Sequence, residues 1–89
     1  MKAIVTVVGL DRVGIIGEIC TTLASMQVNI VDISQTVMQG YFTMMMVGDV
    51  SGSNIPVAEL AQQLEEKGRE MNLSIRLQRE DNFEAMHRV

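Results

Sequence analysis

The stretch VGLDRVGII, residues 8–16, changes the hydrophobic period of the chain from that of a strand to that of a helix. Before it, residues 2–8 form a nearly continuous β-branched run, which is typical of a central strand with little solvent on either face. Gly9 and Gly14 bracket a polar pair and predict a break after the strand. Apolar residues then recur at three- and four-residue spacing, which predicts a first helix. Its expected buried stripe is Ile16, Ile19, Cys20, Leu23 and Met26.

The next segment alternates with a period of two, which predicts a β-hairpin. Residues 29–38 form its first strand, Gln39 and Gly40 its turn, and residues 41–50 its second strand. One face of the first of these strands is expected to carry Val31, Ile33, Gln35 and Val37.

A second helix and a fourth strand follow. Residues 51–54 form a loop that ends in helix-capping residue types, and Pro56 suits the first turn of a helix. Gly68 is expected to weaken that helix or mark where it frays. Its expected buried stripe is Val57, Leu60, Ala61, Leu64 and Met71. The fourth strand is predicted from the alternation of Leu73, Ile75 and Leu77 with polar residues.

This order predicts an α+β fold of the ferredoxin-like βαββαβ type, with a four-stranded antiparallel sheet and both helices on one face. We expect a domain over residues 1–80 and a C-terminal tail over 81–89, where Asp81 or Asn82 caps a short helix carrying Phe83 and Met86. The other sheet face is left open. Residues 29–38 hold one charge, Asp32, to guard a strand edge, and a homodimer is therefore expected.

Composition narrows the class of protein. The chain has 89 residues, enough for one domain, and a single cysteine, which argues against a disulfide framework and suits a reducing compartment. It opens with no secretory signal pattern, and its apolar runs are too short for a membrane span, so a cytoplasmic location without a membrane partner is expected. The net charge of −4 opposes binding to nucleic acid.

No residue pattern indicates catalysis, a cofactor or a metal. His87 is the only histidine, and no serine or cysteine stands at a spacing that implies a nucleophile and its base. Met44, Met45 and Met46 are consecutive in a predicted strand, so they point to alternate faces and cannot converge on one ion. We therefore expect a protein that is not an enzyme.

The residues around the first loop resemble a known family signature. Asp11-Arg12, any residue, Gly14 and two aliphatic residues opening a helix resemble the ACT-domain pattern, in which Asp-Arg-Pro-Gly is common. Gln27-Val28-Asn29-Ile30 resembles the Gly-Val-Asn-Ile with which the second strand of that family begins. The resemblance extends over residues 2–80. Val13 stands where proline is frequent, and Gly9 where some serine-binding members carry histidine.

The resemblance implies a regulatory module that binds an amino acid or another small metabolite between two domains, and that acts on a regulated protein partner. The ligand would lie between the first loop of one chain and the start of the second strand of its neighbour. Physically, a helix N-terminus suits the ligand carboxylate, and the oxygens of Asp11 and Asn29 suit its ammonium. The implied ligand-binding residues are Gly9, Leu10, Asp11, Arg12, Val13, Gly14, Ile15, Asn29 and Ile30.

Four of these residues also have a local explanation. Asp11 is able to cap the first helix, Asn29 to stabilise a turn, Gly14 to permit tight packing, and Arg12 to be simply solvated. A second class of function therefore stays open, namely an adaptor domain whose sheet edge or open face binds another protein without a small ligand.

Overall fold

The fold is a four-stranded sheet with two helices, as the sequence predicts. A computed structural model describes residues 1–81. The elements in chain order are β1 (Lys2–Leu10), α1 (Ile15–Ser25), β2 (Asn29–Met38), β3 (Tyr41–Asp49), α2 (Val57–Met71) and β4 (Leu73–Arg79). The expected helical tail lies outside the described residues except for Asp81, its first residue. No helix within residues 1–81 is long and apolar enough to cross a membrane.

The sheet has the order β2-β3-β1-β4, and every neighbouring pair is antiparallel. The core lies between one sheet face and the two helices, where Val5, Val7 and Met44 of the central strands are buried with Ile19 and Leu60 of the helices. Strand β1 is central, as its β-branched run predicts. Strand β2 is an edge strand, so its expected free edge is confirmed for the single chain.

Strand β1 runs two residues further than expected, because Gly9 does not end it. Gly9 pairs with Phe42 on one side and Leu73 on the other, and Leu10 still pairs with Tyr41. A Cβ at Gly9 would lie 2.3 Å from Cδ2 of Leu73. The glycine is needed for close contact between neighbouring strands and not for a chain break.

Helix α1 begins at Ile15, after Gly14, and Asp11 does not cap it. Gly14 occupies the N-cap position with a φ of 91°, and no side chain caps the helix. Its buried residues are Ile15, Ile19 and Leu23, at a spacing of four. Ile16 and Cys20, which were expected to be buried, are only partly so, because the helix is rotated toward Ile15.

Strand β2 contains an irregularity that changes its expected alternation. The register with β3 shifts between Ile30 and Asp32, which identifies Val31 as a bulge residue. Beyond it, Ile33 lies opposite buried Met46 on the helix side of the sheet. Strict alternation would place Ile30 on the face opposite to Ile33, but the bulge places both on the helix side, where Ile30 packs against the core.

The three consecutive methionines point to alternate faces, as expected. Met44 and Met46 are buried under the helices, whereas Met45 is exposed on the open face. This arrangement follows from the pleat of a strand, and it confirms that the three sulfurs do not converge.

Helix α2 corrects two expectations. Pro56 stands at the N-cap position and no side-chain cap is present, so residues 51–54 do not cap the helix; Ser53 Oγ instead accepts a hydrogen bond from the Ile55 N–H at 3.2 Å.

Gly68 is a close-packing residue and not a fraying point. A Cβ there would lie 2.7 Å from the carbonyl oxygen of Leu73. Because Gly68 has no side chain, α2 is able to lie close to β4.

Candidate functional site

The loop between β1 and α1 is attached to the rest of the fold at two points. The Asp11 N–H donates a hydrogen bond to the Gly40 carbonyl in the β2–β3 turn, at 2.9 Å. The Arg12 guanidinium Nη2 donates to the Met71 carbonyl at the end of α2, at 3.4 Å. Arg12, implied as a ligand-binding residue with simple solvation as its local explanation, thus connects the loop to the second helix.

The N-terminus of α1 is open at Gly14. The first intrahelical hydrogen bond runs from the Glu18 N–H to the Gly14 carbonyl, at 3.0 Å, so the N–H groups of the three residues between them have no partner within the helix. A Cβ at Gly14 would meet no atom within 4 Å, which excludes the tight packing considered as its local explanation. Gly14 is required by its left-handed φ. The free N–H groups and the positive end of the helix dipole favour an anionic group.

Apolar side chains are exposed on the loop and at the adjoining end of the open sheet face. Val13, at the tip of the loop, is 99% exposed, and Leu10, at the end of β1, is 65% exposed. Leu10 lies opposite Tyr41, which lies opposite Met38, so these three side chains form a row across the open face. All three are exposed in the single chain. The loop therefore combines an anion-favouring helix end with apolar surface.

One carboxylate near the helix end is paired with two cations. Glu18, in the first turn of α1, has its oxygens 3.9 Å from Arg12 Nη2 and 3.4 Å from Lys67 Nζ. The pairs are partly exposed, so their contribution to stability is small. Their consequence is local: two positive charges offset the negative charge next to the helix N-terminus.

Asn29 and Ile30 lie at the other end of the sheet. Asn29 pairs with Asp49, which pairs with Lys2, the first residue of β1. Asp11 follows the last residue of the same strand, about 30 Å away at the rise of a β-strand. The structure thus brings residues 9–15 together, but a single chain does not bring Asn29 or Ile30 to them.

Two groups that hold the loop were missed by the sequence analysis, namely the carbonyls of Gly40 and Met71. Backbone carbonyls leave no signal in the residue types, and only the strand register shows that they lie near the loop. The ionic partners Glu18 and Lys67 belong to two different helices, so their proximity is likewise not visible in the sequence. Within residues 1–81, no three His, Cys, Asp or Glu side chains are grouped as a metal site requires.

Comparisons with known proteins agree with this fold. A family model described as the ACT domain matches residues 2–78. A UPF0237 protein of Clostridium acetobutylicum is 49% identical over 89 residues, which is all of both chains. The solved structure of an ACT domain protein from Streptococcus pneumoniae has 42% identity and a TM-score of 0.84, and the match covers 98% of each chain.

A more distant structure shares the fold alone. A formyltetrahydrofolate deformylase from Pseudomonas putida aligns with 88% of this chain and 28% of its own at a TM-score of 0.76, with 12% identity. The family model and the full-length relatives carry the assignment. The chain belongs to the ACT domain family of regulatory, ligand-binding modules.

Proposed function

We propose that this chain is an amino-acid-binding regulatory domain that works as a homodimer in the cytoplasm and acts on a protein partner. The ligand lies between the 9–15 loop of one protomer and the start of β2, at Asn29 and Ile30, of the other. Its carboxylate meets the N–H groups around residues 13–15, and its ammonium meets the oxygens of Asp11 and of Asn29 of the partner subunit. The chain carries no reaction of its own.

The observation that carries the proposal is the open N-terminus of α1. Gly14 is left-handed, no side chain caps the helix, and a Cβ added at Gly14 would meet no atom within 4 Å. The loop is nevertheless held at Asp11 and Arg12, so its shape exists before any ligand arrives. A preformed site of this kind binds more tightly because less conformational freedom is lost on binding.

The free edge of β2 supports the dimer. If two β2 strands pair antiparallel about a twofold axis near Ser34, residue 29 of one strand lies opposite residue 39 of the other. Gln39 adjoins Gly40, whose carbonyl accepts the Asp11 N–H. Such pairing therefore brings Asn29 of the partner subunit to the loop end of the sheet, from which it is about 30 Å distant within one chain.

A complementation experiment tests the proposal. Each of the twenty amino acids is first screened by thermal shift, because a ligand bound by the native state raises the melting temperature. The amino acid that binds is then titrated into Asp11→Ala, into Asn29→Ala, and into an equimolar mixture of the two after subunit exchange. Each variant alone is expected to lose binding, and the mixture is expected to regain about a quarter of the sites, since half of the dimers then carry one intact site.

Asn54→Ala provides the matched control, because Asn54 is exposed in a loop before α2 and lies outside the proposed site. Its affinity should equal that of the unmodified protein. A mixture that binds no better than either parent variant would contradict a site shared between protomers. Affinity that is indifferent to both substitutions would contradict the site altogether.

A second candidate is a protein-binding adaptor, favoured by the apolar open face. Val8, Leu10, Met38, Tyr41 and Met45 are all exposed there in the single chain. An exposed apolar surface of this kind suits a protein partner. The adaptor function is supported if no amino acid raises the melting temperature and if substitution of Tyr41 by serine abolishes regulation of the partner protein.

A further inference from the structure

Arg12 extends from the loop to the end of α2, and its Nη2 also lies 3.9 Å from Glu18 Oε2 in the first turn of α1. The same Nη2 lies 3.4 Å from the Met71 carbonyl oxygen, and Met71 is the last residue of α2. The last carbonyls of a helix have no partner within it and form the negative end of its dipole, so a cation is favoured there. The Asn72 N–H donates to the Arg69 and Gly68 carbonyls, and the Met71 carbonyl accepts from Arg12.

The loop touches this same corner a second time. Gly9, just before the loop, is so close to Leu73 that a Cβ would lie 2.3 Å from its Cδ2 and 3.4 Å from the Asn72 carbonyl oxygen. Residues 71–73 therefore lie against both the start and the middle of the loop. Asp11 is held between these contacts by its own bond to the hairpin turn. Beyond Arg12, the Val13 side chain is 99% exposed.

We propose that Arg12 is a positioning residue for the ligand site, an inference that rests on the proposed function. Its bond to the Met71 carbonyl holds the loop in the shape that leaves the N-terminus of α1 open. The guanidinium itself does not contact the ligand. Arg12 is thus removed from the ligand-contacting set that the family resemblance implies and is assigned to the support behind it.

Amide hydrogen exchange in the full-length protein tests this role without a ligand. The Asp11 and Glu18 amides are hydrogen-bonded on the two sides of the loop and serve as reporters. In Arg12→Ala both are expected to exchange about three- to tenfold faster, as for the loss of one hydrogen bond. The amide of Val5, in the core of β1, should keep its rate. Arg12→Lys should restore most of the protection, because an ammonium also donates to a carbonyl.

Glu18→Gln separates the two contacts of Arg12. It removes the ion pairs with Arg12 and Lys67 but leaves the bond to Met71, so the Asp11 amide should exchange at the unmodified rate. Acceleration by Glu18→Gln equal to that of Arg12→Ala would overturn the proposal. So would an unchanged rate in Arg12→Ala, or an increase that extends equally to Val5.

A binding arm uses the twenty amino acids, each at millimolar concentration, in a thermal-shift assay. The shift produced by any of them should fall in Arg12→Ala and persist in Arg12→Lys, whereas a shift that Arg12→Ala leaves intact would overturn the positioning role. If no amino acid shifts the unmodified protein, the proposed amino-acid function fails, and the exchange rates still decide the role of Arg12.

Discussion

The hydrogen bonds of Asp11 and Asp49 each involve a backbone group of another residue. Asp11 was considered as a helix cap, but its N–H binds the Gly40 carbonyl and its carboxylate caps nothing. Gly14 occupies the N-cap position of α1, and because it has no side chain the helix end stays uncapped. Asp49, at the far end of the sheet, uses its carboxylate to accept the Ser51 N–H at 2.9 Å. We therefore expect Asp11 to affect ligand affinity and Asp49 to affect the pH dependence of stability.

Replacing Asp11 by alanine should separate affinity from stability. The side chain is exposed and caps no helix, so the free energy of unfolding should change by no more than about 0.5 kcal/mol. A charge-assisted hydrogen bond to a ligand ammonium contributes about 1.5–3 kcal/mol, so affinity should fall by roughly one to two powers of ten. Urea denaturation and ligand titration measure the two quantities. Equal losses in both would show that Asp11 is structural.

Asp49 should make stability depend on acidity. Hydrogen bonds from Ser51, and next the N-terminal ammonium, hold the pKa of Asp49 below its usual range. A carboxyl whose pKa is lower in the folded state contributes stability above its unfolded pKa, about 3.9, and loses it as the pH falls through the folded value. The stability difference between the unmodified protein and Asp49→Asn should therefore be largest near neutral pH and shrink below pH of about 4. Denaturation at pH 7 and pH 3 measures it, and a constant difference would contradict it.

At the scale of elements, close contacts decide where helices and strands lie. Helix α2 packs on β4 through Gly68, and β1 packs beside β4 through Gly9. Gly17 in helix α1 differs from these two glycines, because a Cβ there would meet no atom within 4 Å. Gly17 lies in the first turn of α1 and Gly68 in the last turn of α2, and their surroundings are opposite.

Gly68→Ala and Gly17→Ala should consequently change stability in opposite directions. Alanine at position 68 would lie 2.7 Å from the Leu73 carbonyl oxygen, which forces α2 away from β4 and should cost about 1–3 kcal/mol. Alanine at position 17 meets open space and should add up to about 1 kcal/mol through its higher helix propensity. Thermal or urea unfolding compares the pair. A stabilised Gly68→Ala variant would show that the helix and strand are not in close contact.

At the scale of the molecule, the free edge of β2 is the main unpaired feature of the described chain. Ile33 and Val37 face the helix side of the sheet, yet both stay exposed in the single chain. Asp32 is the one charge on the strand, so little opposes pairing with a second copy. The other edge strand, β4, carries Arg76 and Arg79.

The β2 edge should therefore determine the oligomeric state. The unmodified protein is expected to sediment as a dimer at micromolar concentration, and Ile33→Lys should weaken the dimer by roughly tenfold or more, because it brings like charges together across the twofold axis. Ser74→Lys, on exposed Ser74 of the β4 edge, is the matched control and should leave the dimer intact. A monomer in the unmodified protein, or equal effects of the two lysines, would contradict a β2 interface.

The sequence by itself determined the order of the elements, the central place of β1, the alternate faces of the methionines and the loop that marks the family. These features depend on hydrophobic period and turn residues, which are properties of neighbours in the chain. It also predicted residues 9–15 as one cluster, because they are contiguous.

Only the tertiary structure decided the close contacts of Gly9 and Gly68, the bulge at Val31, and the bond from Arg12 to Met71. It also placed Asn29 at the opposite end of the sheet from Asp11. The physical reason is that strand register and helix packing join residues far apart in sequence. Whether two backbones approach closely, and which carbonyl meets a side chain, depends on distances that residue types alone do not encode.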